Sequence, residues 1–372
     1  MTTYTDLNTP QRILLGPGPS MVHPRVLHAL SHPLIGHLDP KFIETMNEVQ
    51  DLLRFVFQTK NMMTIPVSGT GSAAMEAAMI NFIEPGDSVL IGVNGYFGER
   101  LCDMAGRYGA EVRRLECKWG NVFKIEEVEA ELKKEPAKLV ALVHAETSTG
   151  ARQPMEGMAE VVHRYGGILV MDCVTSLGGV PIEVDNWGVD VAYSGTQKCI
   201  SCPPGIGPLT VSDRALNILN NRKTKVGSWY LDLSTLSKYW GSERTYHHTA
   251  PISMVFATRE ALRLVFEEGL DARFKRHQSN AEMFWNGLEE MGIKLHVPKP
   301  YRLPSLSTVV VPDGVDEASV RNILLNEYNI EIAGGFGPLK GRIWRVGLMG
   351  YSSNRENITL LLAALKEILA RK

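Results

Sequence analysis

Long apolar runs are missing from this 372-residue chain. None reaches the ~18–20 residues that a helix needs to span a bilayer, so no membrane partner is expected. The first residues, MTTYTDLNTPQRILLGPGPS, have no basic segment followed by an apolar core, so no secretory leader is expected. Charge of one sign is not in excess either. Lys and Arg number 39 against 41 Asp and Glu, and the net charge of -2 gives no reason to expect nucleic acid or an anionic membrane as a partner. Cysteine is scarce: Cys102, Cys117, Cys173, Cys199 and Cys202 are odd in number and form no spaced framework. They read as reduced thiols in a cytoplasmic protein. Internal repeats and low-complexity tracts are absent too.

What is present is a globular composition, 44% hydrophobic and 22% charged. The length favours one large domain plus a smaller one. Apolar, β-branched runs at 63–67, 88–93, 111–115, 139–144, 167–171 and 189–193 alternate with helical patterns at 72–82, 98–107, 125–133 and 155–165. Alternation of this kind, with nearly continuous apolar strands, predicts an α/β fold with a mostly parallel sheet covered on both faces. The segment GIGPLTVS, 205–212, follows a strand with no helix between, so it is expected to pair antiparallel. Beyond a long helical stretch at 251–292, a strand, a helix, a second strand and a final helix read as a small α+β domain. The expected division is an arm over 1–20, a large domain over 21–260 and a small domain over 261–372.

Sheets of this type bind ligands where the loops leave the C-terminal strand ends, and four such loops hold residues that chemistry could use. VSGTGSAAMEAAM, from Val67, turns a strand into a helix through Gly69 and Gly71, so the amides of Thr70, Gly71 and Ser72 could cradle a phosphate. The plainer reading is a strand–helix turn with an N-cap serine. Asp172 ends a strongly apolar strand, either capping its loop or facing a cation. HAETSTG, 144–150, offers the hydroxyls of Thr147 and Ser148, which turn formation explains equally well. Lys198 lies between an apolar strand and a loop of Cys, Pro and Gly. An amine there loses its proton readily and becomes a nucleophile toward carbonyls, unless it snorkels to water. An anion cradle, an aspartate, a hydroxyl and a poised lysine together match the needs of pyridoxal 5′-phosphate, and Phe97 in GVNGYFGER supplies a flat partner for its ring.

These segments, with GPGPS, YSGTQK, YHHTAP and RVGLMG, resemble the class V aminotransferases of the fold type I pyridoxal-phosphate enzymes. The resemblance is to the alanine:glyoxylate and serine:pyruvate branch and runs from residue 14 through the final helix. It implies a large domain with a seven-stranded, mostly parallel sheet and an aminotransferase activity. By position, Lys198 would hold the cofactor aldehyde as a Schiff base and shuttle a proton, and Asp172 would pair with the pyridine nitrogen. Phe97 would stack on the ring, Thr147 would bond its phenolic oxygen, and Gly71, Ser72 and Gln197 would hold the phosphate. Tyr246 and Thr249 would reach the phosphate of a neighbouring subunit, which makes the enzyme a homodimer with shared active sites. Arg345 would grip the substrate carboxylate in a bidentate fork, and Gly18, with Gly36 and His37, would line the pocket.

Other readings fall on particular residues. Cys199 and Cys202 form one C-x-x-C pair, but a four-ligand zinc site needs a second pair, and the Pro-Pro-Gly that follows opens no helix, so no metal is expected. A cysteine desulfurase needs a cysteine well beyond the lysine, and none follows Cys202. A nicotinamide dehydrogenase needs the third glycine of G-x-G-x-x-G, where Ala74 stands. The resemblance implies a small donor, alanine or serine, and glyoxylate or pyruvate as acceptor. Relatives that use 3-hydroxykynurenine or pyridoxamine leave the donor open.

Overall fold

The computed structural model describes Thr2 and residues 4–371. Strands β1 (Met63–Ser68), β2 (Ser88–Val93), β3 (Glu111–Glu116), β4 (Leu139–Val143), β5 (Ile168–Asp172), β6 (Val191–Tyr193) and β7 (Ile206–Val211) form one sheet in the order β1-β7-β6-β5-β4-β2-β3. β7 runs antiparallel to both its neighbours and every other pair is parallel, as the missing helix before GIGPLTVS implies. The five residues of β4 and the five of β5 are all buried, because helices cover both faces of the sheet. β3 is the exception. Its EVRRLE sequence is largely exposed and forms an edge, where charged side chains discourage pairing with another chain.

Helices α1 (Gly71–Ile80) and α2 (Tyr96–Arg107) lead away from the C-terminal ends of β1 and β2. The helix expected over 155–165 starts only at Met158, because Gly157 takes a left-handed φ of 79°. Residues 24–57, to which the sequence pattern assigns nothing, form helices Pro24–Leu30 and Pro40–Phe57, capped by His23 and Asp39. The long helical stretch at 251–292 is two helices, α3 (Ile252–Glu268) and α4 (Leu270–Glu290), broken at Gly269 with φ 78°.

Ala281, Phe284, Trp285 and Leu288 of α4 enter a second hydrophobic core with the antiparallel strands β8 (Leu306–Val310), β9 (Ala333–Gly334) and β10 (Ile343–Gly347). The N-terminal arm is laced into this smaller body. Ile13 and Leu14 pair parallel with Ile330 and Glu331, and Leu15 is fully buried in its core. The arm then crosses to the C-terminal edge of the large sheet, where Ser20 N donates to Gln197 O at 2.9 Å. No described helix is long and apolar enough to cross a membrane.

Candidate active site

β5 and β6 end side by side, with Asp172 registered against Tyr193. The buried Asp172 carboxylate accepts from Val174 N at 2.9 Å and from the Tyr193 hydroxyl at 2.8 Å, and forms no ion pair among the described residues. Burial raises its pKa to about 6 against the pull of those two bonds, so it is an anion at neutral pH with no cation on it. Tyr193 was invisible as a site residue in the sequence, where it reads as strand core. Register alone brings it to the carboxylate.

Lys198 stands five residues after β6, in a turn closed by Thr196, whose hydroxyl donates to Pro203 O at 2.9 Å. Its own backbone oxygen accepts from Ser20 Oγ at 2.7 Å. The side chain is buried and its Nζ donates to the carbonyl of Pro17. Burial first, and then the positive Arg345, lower its pKa to about 8. A Cβ on Gly18 would lie 2.7 Å from the lysine Cδ and 2.8 Å from Nζ, so the glycine leaves the space the lysine occupies. Gly18, expected to line the substrate pocket, thus stands directly against the lysine side chain.

The neutral fraction of this amine should govern how fast the apoprotein takes up an aldehyde. Covalent loading, followed by absorbance, is expected to speed up with rising pH to a plateau, with a midpoint near 8. In Arg345→Ala the midpoint should move upward, because a repelling cation is gone. A rate independent of pH between 6 and 10 (a window chosen around that pKa, spanning about two units each way) would contradict the assignment.

The turn from β1 into α1, where a phosphate cradle is expected, leaves the first-turn amides free of any side-chain cap. Thr70 makes no capping bond, and a Cβ on Gly71 would meet Gly195 Cα at 3.2 Å. Uncapped first-turn amides are an anion site in waiting. Arg100, which the sequence reading passed over, brings its guanidinium to 3.4 Å from Ser72 Oγ and lies over the Phe97 ring at 4.8 Å. Gln197 stands beside this turn with a buried Oε1 that has no partner among the described residues; that oxygen accepts, so only the NH2 end of the amide suits a phosphate.

In the HAETSTG loop both hydroxyls already have partners within the chain. Thr147 bonds Thr175 through their hydroxyls. Ser148 Oγ is committed on both sides: it accepts from the backbone N of Tyr96 at 2.9 Å and donates to Glu146 Oε1 at 2.6 Å. Glu146 was not singled out from sequence. It is fully buried and also accepts from Phe97 N at 3.1 Å. The acid beside two hydroxyls at a strand end was the available signal.

Arg345 rises from β10, buried, with Nε donating to Gly334 O at 2.7 Å and the guanidinium plane 4.0 Å from the Phe336 ring. The fork is therefore narrower than expected. Nε is spent, and the end-on pair of terminal nitrogens is what remains for a carboxylate. Removing that pair should act on substrate and leave cofactor alone. Arg345→Ala is expected to raise the amino-acid KM about a hundredfold, the order of a charge-assisted bidentate contact, while the cofactor dissociation constant, read above the Lys198 midpoint where the amine is neutral in both proteins, stays within about threefold. Equal losses of both would contradict the role.

Tyr246 and Thr249 are not gathered with the others. Both are exposed on the loop between helix Leu233–Trp240 and α3, and the Tyr246 ring packs on His37 at 5.3 Å. Gly36 is exposed beside His37. Cys199 and Cys202 are buried and free, and burial pushes their thiols up to about 11 and 12, the opposite of a reactive pair. Cys199 fills space against Gly179, where a Cβ would lie 2.5 Å from its sulfur. Among the described residues no cluster of three or more His, Cys, Asp or Glu could hold a metal.

A mostly parallel sheet with an unpaired carboxylate, a low-pKa lysine and an uncapped helix at one edge defines a pyridoxal-phosphate enzyme. The residues fit that group on two observed features: the anion Asp172 lacks a cation among the described residues, and α1 lacks a side-chain cap. Residues 14–348 match the Aminotransferase class-V family, and the chain belongs to it. Enzymes of this family depend on pyridoxal 5′-phosphate. The chain is 42% identical to the (S)-ureidoglycine–glyoxylate transaminase of Bacillus subtilis, over all of this chain and 94% of that one. It is 43% identical to the alanine–glyoxylate aminotransferase of Rattus norvegicus, over 98% of this chain and 89% of that one. A crystal structure of an alanine–glyoxylate aminotransferase from Nostoc sp. superposes with a TM-score of 0.98 at 56% identity, covering 99% of this chain and 98% of the other.

Proposed function

We propose that this class-V aminotransferase takes the amino group of alanine or serine and gives it to glyoxylate, with pyruvate as the second acceptor. The observation that carries the substrate class is Arg345, whose two terminal nitrogens suit a single α-carboxylate. No second guanidinium is offered to a side-chain carboxylate in this reading, because Arg100 belongs to the phosphate cradle. A monocarboxylate with a small uncharged side chain is the substrate that fits. The name of the B. subtilis relative adds (S)-ureidoglycine, which meets the same description and is the second donor to try.

When bound, pyridoxal phosphate supplies an aldehyde that a primary amine captures and a ring that takes up the electron pair left when the substrate's α C–H bond breaks. The chain's own residues do the rest. Lys198 Nζ, neutral for much of the time at pH 8, would hold the cofactor and, when free, would take the substrate's α proton and pass it on rather than back to Cα. Asp172, fixed by Tyr193 and Val174 N, keeps a positive charge on the pyridine nitrogen favourable. Arg345 orients the substrate by its carboxylate, and Phe97 covers one ring face. The amides of α1, with Ser72, Gln197 and Arg100, hold the phosphate.

The active unit in this reading is a homodimer, in which Tyr246 and Thr249 serve the neighbouring phosphate. Their exposure supports it, as does the exposure of Leu34, Leu38, Trp229 and Tyr230. A sedimenting mass near two chains of 41.2 kDa is expected, and a fully active monomer would refute this part. The five free cysteines agree with a cytoplasmic location, which fractionation of the source cells tests. For the reaction, the loaded enzyme is mixed with single amino acids and loss of its visible band is followed. Alanine, serine or (S)-ureidoglycine should discharge it quickly while aspartate and glutamate do not. Preferential discharge by a dicarboxylate would overturn the substrate class.

A further inference from the structure

We propose that Glu146 is a positioning residue for the cofactor ring, acting through the backbone of Phe97. The proposal rests on the reading that Phe97 covers that ring. Helix α2 starts at Tyr96 behind Gly95, which has no side chain to cap it. The cap comes instead from Ser148 and Glu146, 52 and 49 positions away from the amides they accept from. Tyr96 N donates to Ser148 Oγ at 2.9 Å and Phe97 N donates to Glu146 Oε2 at 3.1 Å, while Glu146 Oε1 accepts from Ser148 N at 3.0 Å and Ser148 Oγ at 2.6 Å.

The donors at this junction favour an anion, against burial that raises the Glu146 pKa to about 7. Both carboxylate oxygens face N–H or O–H donors, the arrangement an ionised carboxylate alone satisfies throughout. The positive end of α2 stabilises that charge, which has no Lys or Arg at ion-pair distance among the described residues. The charged groups facing it across the site are Asp172 of β5 and Arg345 of β10. The junction is also sterically committed. A Cβ on Gly95 would lie 2.3 Å from Glu146 Cδ and 2.6 Å from Ser148 Oγ, so only glycine admits the carboxyl beneath the helix. The buried acid thus ties the HAETSTG loop to the turn that presents Phe97, and it determines where the ring of Phe97 stands.

The test compares wild type, Glu146→Gln, Phe97→Ala and the double variant as purified apoproteins titrated with pyridoxal phosphate. Cofactor affinity and the circular dichroism induced in the cofactor's visible band are read, with apoprotein melting as the control for folding. Glutamine must set its NH2 against one of the donors. Glu146→Gln is expected to weaken cofactor binding about tenfold and to reduce the induced dichroism, with the apoprotein still folded. In the Phe97→Ala background the same change should alter affinity less than about twofold, because the route through Phe97 is already lost. Wild-type affinity and dichroism in Glu146→Gln, or an undiminished effect without the Phe97 ring, would overturn the proposal. Should Glu146→Gln not fold, Ser148→Ala removes the Tyr96 cap and one carboxylate partner. It should show a smaller loss with the same dependence on Phe97, and a loss independent of Phe97 would again overturn it. If wild type itself binds no cofactor, the functional reading fails instead, which separates the two.

Discussion

Replacing Lys198 with alanine is expected to leave a folded protein that no longer transaminates. The side chain is buried and, among the described residues, its only hydrogen bond is to the Pro17 carbonyl, so its loss removes a desolvated amine and no scaffold. Stability should therefore change little, and the apoprotein melting temperature tests that. Chemistry should collapse, because one amine both holds the aldehyde and moves the α proton. General base catalysis alone accounts for about 10²–10⁴ in rate, and loss of the covalent hold comes on top of it. A small primary amine supplied in solution should restore part of the lost rate, since the space beside Gly18 is left open. Turnover of Lys198→Ala within tenfold of wild type, a loss below what general base catalysis alone supplies, would refute the role.

The second large effect belongs to Asp172. Asp172→Asn keeps the size of the side chain and the bond from Val174 N, and the Tyr193 hydroxyl can turn to accept from the new amide. What disappears is the negative charge at the strand end. Charge preorganised where a reaction needs it is worth about 10²–10³ in rate. Asp172→Asn is therefore expected to lose turnover on that order and to bind pyridoxal phosphate less tightly. The pH dependence follows from the same residue. Its pKa is raised to about 6, so the charge is present above that pH and is lost as pH falls through it. In the apoprotein, uptake of pyridoxal phosphate should therefore weaken below pH 6, and that acid limb should vanish in Asp172→Asn. An unchanged limb would assign it to another group.

The sites most legible in the sequence were those where a residue contradicts its surroundings. Lys198 sits among apolar and turn residues, and Asp172 ends an all-apolar strand, so burial could be inferred from neighbours along the chain. The strand pattern was legible for the same reason, since a sheet covered on both faces needs apolar residues at every position. Glu146 and Tyr193 were not legible, because their partners Phe97 and Asp172 are 49 and 21 positions away and only the folded register joins them. Arg100 reads as an exposed helix arginine until α1 and α2 are placed side by side. The break at Gly269 was hidden for a different reason. Amphipathic sequence continues on both sides, and one glycine at φ 78° divides two helices that serve different cores.

All of these roles depend on a covalent link between one amine and the vitamin-derived aldehyde, and that link can be trapped directly. The protein saturated with pyridoxal phosphate is reduced with borohydride, digested, and its peptides are mapped by mass. The phosphopyridoxyl group is predicted on the peptide that contains Lys198. Its absence there, or its presence on another lysine in a fully active enzyme, would contradict the account.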